Sequence, residues 1–332
     1  MEQRLWMILQ LFGGAALFLY SMDTLTDALQ QAAGDTLRQA LARLTAHPLA
    51  GVLTGAAVTA VVQSSSAVTV LVLGLVGAGL LTLQRAVPVV FGANIGTTVT
   101  AQLLAFRLED ARYLLLVAGL LLWFAGRGRL HAAGQALFAF GLLFEGIAVM
   151  AKAMEPLAAG PVFRQWMAQV RHRPGLGLLA GLGMTLAVQS SSATIAVLQQ
   201  AAARPGPDGG CLLGLAGAIP VLLGDNIGTT VTAVLASVGQ SRDAKRLAAA
   251  HALFNLSGAV VCWLLLPQFT ALVRLVSPHG PESAVLARQI ANAHTLFNLG
   301  CTVLWLPLTP CMVRIVCILL PEKHAPELKR TP

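Results

Sequence analysis

Gly51-Val-Leu-Thr-Gly-Ala-Ala-Val-Thr-Ala-Val-Val-Gln-Ser-Ser-Ser66 returns later in the chain as Gly177-Leu-Leu-Ala-Gly-Leu-Gly-Met-Thr-Leu-Ala-Val-Gln-Ser-Ser-Ser192. Gly51, Gly55, Thr59, Val62 and Gln63 align with Gly177, Gly181, Thr185, Val188 and Gln189 at one constant offset. A second pair follows in the same order, Gly92-Ala-Asn-Ile-Gly-Thr-Thr-Val-Thr-Ala101 and Gly224-Asp-Asn-Ile-Gly-Thr-Thr-Val-Thr-Ala233. The offset grows between the two pairs, which places an insertion near Arg204–Gly210. Upstream, Leu17–Met22 is faintly echoed by Leu142–Ile147. Two long matches in one order mean two copies of one structural unit.

The medium around those units follows from composition. The 332 residues are 56% hydrophobic and only 11% charged, with a mean hydropathy of +0.73. A water-soluble domain carries about 25% charged residues, so most of this surface faces lipid. Leu5–Met22, Val87–Phe106, Leu247–Leu266 and Ile290–Leu306 each approach the roughly 20 residues that cross a ~30 Å hydrocarbon layer as a helix. The net charge of +8 comes from short basic clusters between apolar runs. That is a membrane-topology pattern and not a nucleic-acid footprint. The five cysteines sit in apolar segments without paired spacing, so neither a zinc site nor a disulfide framework is indicated. The N-terminal run lacks a signal-peptide cleavage pattern and reads as the first spanning helix.

The expected fold is an all-α polytopic membrane protein. Each unit starts with a spanning helix, about Leu5–Leu25 and Ala136–Met154, followed by a polar connector. Two short arms then meet at Gln-Ser-Ser-Ser: Leu49–Val62 with Ala67–Leu81, and Leu176–Val188 with Ala193–Ala203. Their length suits a re-entrant hairpin better than a full crossing. A helix broken at Asn-Ile-Gly-Thr-Thr follows, then a closing helix, about Ala111–Ala125 and Leu247–Leu266. An odd number of crossings per unit would invert the second copy, the inverted-repeat plan of many secondary transporters. The units are assigned to residues 1–130 and 131–268, with C-terminal helices and a tail over 269–332.

Polar groups at the tip of an apolar hairpin need partners or a wet cavity. Gln63, Ser64, Ser65 and Ser66, with Gln189, Ser190, Ser191 and Ser192, offer hydroxyl and amide donors to an anion and oxygens to a hard cation. Helix starts at Ser66 and Ser192 would add partial positive charge. Asn94, Thr97 and Thr98, with Asn226, Thr229 and Thr230, supply neutral oxygens, and Gly96 and Gly228 permit a break. The competing reading is a glycine-kinked helix with its threonine hydroxyls bonded back to the backbone. A P-loop is excluded because neither copy has the required lysine. Asp225 breaks the symmetry, since Ala93 holds its place, and an ionisable residue so deep is a candidate cation ligand. His251-Ala-Leu-Phe-Asn255 and His294-Thr-Leu-Phe-Asn298 form a smaller echo, read as His and Asn bonding each other or a neighbouring helix with Phe254 and Phe297 as packing anchors, a proton relay being the alternative. Glu145 lies in an apolar helix and calls for a basic partner.

The duplicated Gln-Ser-Ser-Ser (63–66 and 189–192), with Gly-x-Asn-Ile-Gly-Thr-Thr (92–98 and 224–230), resembles the type II sodium/phosphate cotransporter family, with bacterial members most similar. The resemblance spans about residues 5–305. It implies that the two hairpins meet at a site for inorganic phosphate and sodium, supported by the Asn-Ile-Gly-Thr-Thr residues. It implies sodium as the coupling ion, no other cofactor, no transition metal and no enzymatic activity. It also implies a multi-pass location in the cell (inner) membrane among membrane lipids. Oligomeric state, including a homodimer, and the direction of flux are left open. Alternatives are a carrier of another small anion, a phosphate exporter and, more remotely, a membrane enzyme acting on lipid phosphate. The last lacks a base to activate a serine.

Overall fold

The computed structural model describes residues 2–33, 47–105, 111–206 and 210–322. Parts of the polar connector, of the insertion and of the C-terminal tail lie outside the described residues. Among those described there are fourteen helices and no β-strand. The first half comprises α1 (Glu2–Ala33), α2 (Pro48–Val62), α3 (Ser65–Gly77), α4 (Leu83–Leu104) and α5 (Ala111–Ala125). Next come α6 (Arg129–Ala159), α7 (Pro161–His172), α8 (Pro174–Val188), α9 (Ser191–Ala202), α10 (Gly214–Ala236) and α11 (Arg242–Leu264). The chain closes with α12 (Leu266–Leu275), α13 (Glu282–Trp305) and α14 (Thr309–Leu319). Five helices are long and apolar enough to cross a membrane: α1, α4, α6, α10 and α11. A sixth span arises if α13 and α14, bent by 85° at their junction, count as one.

Local chemistry sets the helix ends. Pro48 and Pro174 open α2 and α8 at the first helical turn, where a missing N–H is harmless. Ser241 caps α11 by accepting the Ala244 amide at 3.3 Å. Large apolar side chains such as Phe12, Leu114, Leu264 and Val303 are exposed on the outside of the bundle, where hydrocarbon satisfies them.

Glycine brings the central helices together. A Cβ on Gly55 of α2 would lie 2.0 Å from the Val89 carbonyl oxygen of α4, and one on Gly92 of α4 would lie 1.9 Å from that of Val52. The second unit repeats the contact: Gly181 of α8 against Val221 O, and Gly224 of α10 against Leu178 O, both 1.9 Å. Such backbone-to-backbone approach is how helices associate where lipid removes the hydrophobic driving force. The second arms cross over, α3 packing on α10 and α11, and α9 on α4 and α13. One large apolar cluster fills this assembly, including Phe91, Phe254 and Phe297, with Phe91 stacked on Phe254 at 4.7 Å. A smaller cluster joins α1 and α6 to α4 and α9 through Phe18, Met22, Leu104, Leu143, Phe144 and Ala196. Arg112 of α5 pairs with Glu145 of α6 at 2.8 Å, the partner that the sequence left unnamed.

Several expectations need correction. The helices carrying Asn-Ile-Gly-Thr-Thr are not broken: α4 and α10 run continuously through the motif. Gly96 and Gly228 serve close packing, since a Cβ there would meet Thr59 Cβ at 2.6 Å and Thr185 Cβ at 2.8 Å. The α3 and α9 helices start at Ser65 and Ser191, one residue earlier than expected, because Ser64 and Ser190 act as their caps. Helix α13 begins at Glu282, ahead of the apolar run, and α7 and α12 were not foreseen. Arg246, of the basic cluster Arg242, Lys245 and Arg246, lies within a helix and not between two apolar runs. It is buried in α11, bonded to Asp243 at 2.7 Å and to the Leu320 carbonyl at 2.9 Å.

Candidate functional site

Each Gln-Ser-Ser-Ser is a sharp joint between two helices. Helix α2 ends on Gln63 at φ 56°, ψ 19°, and α8 on Gln189 at φ 55°, ψ 24°. Among the described residues these are the only two non-glycine positions with positive φ. Left-handed backbone on a long side chain costs on the order of 1–3 kcal/mol and clusters at functional sites. The backbone N–H of each glutamine donates to a threonine carbonyl, Thr59 or Thr185, at 2.7 Å.

The next residue turns the chain. Ser64 and Ser190 are extended, and their Oγ atoms accept the amides of Ala67 at 3.2 Å and Ala193 at 3.3 Å. Because these hydroxyls accept, their hydrogens remain available to donate. The first amides of α3 and α9 have no acceptor within their helices. At both joints the C-terminal end of one helix therefore meets the N-terminal start of another. One end favours a cation and the other an anion.

The two joints are not alike. Gln63 is buried, with Nε2 donating to the Ala60 carbonyl and Oε1 accepting from Thr100 Oγ1 at 2.5 Å. Gln189 is exposed, and its side chain makes no hydrogen bond among the described residues. Nor does any hydrogen bond among them join a side chain of Gln63–Ser66 to one of Gln189–Ser192. The helices behind the joints connect the two units.

The Asn-Ile-Gly-Thr-Thr residues follow the bonded-back alternative. Thr97 donates to Ala93 O at 3.3 Å, Thr98 to Ile95 O at 2.7 Å, Thr229 to Asn226 O at 2.7 Å and Thr230 to Ile227 O at 2.7 Å. With their hydrogens engaged, these hydroxyls present only lone pairs, which suits a cation and not an anion. Asn94 and Asn226 each donate back to the helix, to Val90 O at 3.0 Å and Leu222 O at 2.9 Å. Their amide oxygens reach the smaller echo: His251 Nε2 donates to Asn94 Oδ1 at 3.2 Å, and Asn298 Nδ2 to Asn226 Oδ1 at 3.3 Å. The acceptor-only partner assigns the His251 proton to Nε2. The His-x-x-x-Asn helices α11 and α13 thus dock on the two motif helices.

Asp225 is fully buried in α10, and its Oδ1 accepts from Thr185 Oγ1 at 2.5 Å. In the first unit Ala93 replaces it, and Thr59 Oγ1, the counterpart of the Thr185 hydroxyl, has no partner among the described residues. Sequence reasoning missed Thr100, Thr185 and Thr194 as members of these networks; it expected His251 and Asn298 to bond a neighbouring helix, without naming Asn94 or Asn226 as the partners. Thr59 and Thr185 were visible as a repeated pair, but spacing alone does not reveal a partner 40 residues away.

Helices able to cross a membrane several times, with duplicated polar joints among them, define a multi-pass α-helical membrane protein. The chain belongs to the Na+/Pi-cotransporter family, whose profile matches it twice, over residues 17–152 and 145–274. That family comprises transporters and not enzymes. The chain is 33% identical over 306 residues to YqeW of Bacillus subtilis, an uncharacterised protein, covering 92% of this chain and 96% of YqeW. It is 28% identical over 256 residues to YjbB of Salmonella typhimurium, named for a proposed role in inorganic phosphate export. That alignment covers 76% of this chain but only 46% of YjbB. A 93-residue stretch, 27% of the chain, is 41% identical to sodium-dependent phosphate transport protein 2A of Oryctolagus cuniculus, covering 14% of that protein. No solved structure matches the chain.

Proposed function

We propose that the chain carries inorganic phosphate across the cell membrane together with sodium ions, by alternating access between two inverted units, residues 1–130 and 131–268. The observation that carries the reading is the pair of left-handed glutamine joints. Each sets free hydroxyl hydrogens and helix-start amides beside a helix C-terminus. Donors of that kind suit phosphate oxygens, and Gln63, Ser64, Ser65, Ser66, Gln189, Ser190, Ser191 and Ser192 would bind it. The hydroxyl and amide oxygens of Asn94, Thr97, Thr98, Asn226, Thr229 and Thr230, with the Asp225 carboxylate, would serve sodium. The short arms α2–α3 and α8–α9 act as re-entrant hairpins, and residues 269–332 add helices outside the repeat.

An uncompensated phosphate at mid-membrane is prohibitive. Bound sodium offsets its charge, and the two must strengthen each other's binding reciprocally. A buried, bonded Gln63 beside an exposed, unbonded Gln189 is what a carrier with one side closed would present. The membrane potential contributes about 2.3 kcal/mol per net charge per 100 mV. The test is radioactive phosphate uptake into proteoliposomes with sodium gradient and voltage set independently. Accumulation should follow the inward sodium gradient, and uptake indifferent to sodium overturns the reading. The relationship to YjbB favours a second reading, net phosphate efflux, which the same vesicles test by preloading.

A further inference from the structure

Asp225 is the only ionisable residue in α8, α9 and α10. It is fully buried and makes no ion pair among the described residues. Its second oxygen, Oδ2, has no partner among them either. Helices α11 and α13, which also pack on α10, carry His251 and His294, yet no hydrogen bond or ion pair among the described residues joins either to Asp225, and a buried carboxylate without a basic partner calls for a cation from outside the protein.

The surroundings supply ligands of one kind. Thr185 Oγ1 lies 2.5 Å from Asp225 Oδ1, 3.1 Å from Thr194 Oγ1 and 3.0 Å from the Gly181 carbonyl. Thr194 Oγ1 in turn lies 3.2 Å from the carbonyl of Ser190, the cap of the second hairpin. One carboxylate, two hydroxyl and two carbonyl oxygens form one chain of contacts, with no nitrogen or sulfur among them, and the second carboxylate oxygen is left over for a further ligand. Oxygen-only donors select a hard cation. A single negative charge balances a monovalent ion, whereas a divalent one would leave an unpaired charge in a buried site.

The first unit cannot form the same cluster. Ala93 stands for Asp225, Val68 for Thr194, and Thr59 Oγ1 is left without a partner among the described residues. We infer that Asp225, Thr185 and Thr194, with the carbonyls of Gly181 and Ser190, form a sodium site present in the second unit alone, behind its Gln-Ser-Ser-Ser joint. The site deepens the sodium-coupled reading and rests on it. Because it touches the Ser190 cap, an ion there fixes the geometry of one hairpin and not of the other. It also adds one cation to the cycle beyond any that symmetric positions would hold.

The test is sodium binding by the purified full chain without phosphate. It is read as the rise in thermal midpoint on titrating NaCl at constant ionic strength against choline chloride. The wild type should show a saturating rise that choline and potassium do not reproduce. Asp225→Asn should abolish it, and Thr194→Val should weaken apparent sodium affinity by about tenfold. Thr194→Val, checked for monodispersity, keeps the test valid if Asp225→Asn does not fold. A wild-type curve retained in Asp225→Asn, or in a folded Thr194→Val, overturns the inference. So does a wild-type midpoint that responds to pH through Asp225 and not to sodium, which would make this a proton site. Phosphate uptake separates the two failures. Sodium-independent uptake by the wild type removes the transport reading. Sodium-driven uptake whose sodium Hill coefficient is unchanged in Asp225→Asn removes only this site.

Discussion

Gly181→Ala tests whether the two central helix pairs are held by backbone contact. The added methyl would lie 1.9 Å from Val221 O, 2.7 Å from its carbonyl carbon and 3.0 Å from the Asp225 nitrogen. Heavy atoms settle near 3.5 Å, so α8 and α10 must part by about 1.5 Å. Backbone cannot swing aside as a flexible side chain does, and overpacking of this sort costs typically 1–3 kcal/mol. Gly183, two residues on, is the internal control, because its Cβ would meet nothing within 4 Å. Both changes remove a helix-interior glycine, worth up to about 1 kcal/mol in propensity, so the difference between them isolates the clash. With the difference near 2 kcal/mol and roughly 2–4 °C per kcal/mol, Gly183→Ala should melt about 4–8 °C above Gly181→Ala. Circular dichroism of both variants in one detergent reads it. Equal midpoints, or a more stable Gly181→Ala, would refute the packing argument.

Thr100→Val strands the buried Gln63 Oε1 and should destabilise by about 1–3 kcal/mol. Thr232→Val at the equivalent place in the second unit should be nearly neutral, because Gln189 makes no side-chain bond among the described residues; paired melting curves compare them. Ser64→Gly and Ser190→Gly should lose only a few tenths of a kcal/mol as caps, yet raise the KM for phosphate as a hydroxyl donor disappears. Unchanged KM in proteoliposome uptake would remove the serines from the anion site. Glu145→Gln removes the partner of Arg112, and because the facing Nε and Oε2 atoms are themselves buried it should destabilise by more than the roughly 1 kcal/mol of an exposed ion pair, read as a lowered melting midpoint.

The sequence carried the duplication, the arm lengths and the joints, because a Gln-Ser-Ser-Ser between apolar arms has few other physical uses. It misled at Asn-Ile-Gly-Thr-Thr. Glycine beside β-branched threonines resembles a break, and only the facing helix reveals that Gly96 and Gly228 make room for Thr59 and Thr185. Whether Thr98 bonds outward or back to Ile95 depends on which face is dry, and composition does not say. The links from His251 to Asn94 and from Asn298 to Asn226 join distant segments, so no local pattern encodes them. Helices α7 and α12 escaped because short segments ending in arginine resemble loops. Asp225 was legible as an oddity, but its threonine partners were not.

The crossed packing of the second arms has a genetic consequence. Helix α3 rests on α10 and α11, and α9 rests on α4 and α13, so each half supplies a wall of the other's core. A gene cut between Ala125 and Arg129 would yield two fragments, each missing part of the surface its second arm packs on. Made alone, either fragment should be degraded or aggregate. Made together in one cell, they should rescue each other by trading those missing walls, and the rescued pair should purify as a one-to-one complex.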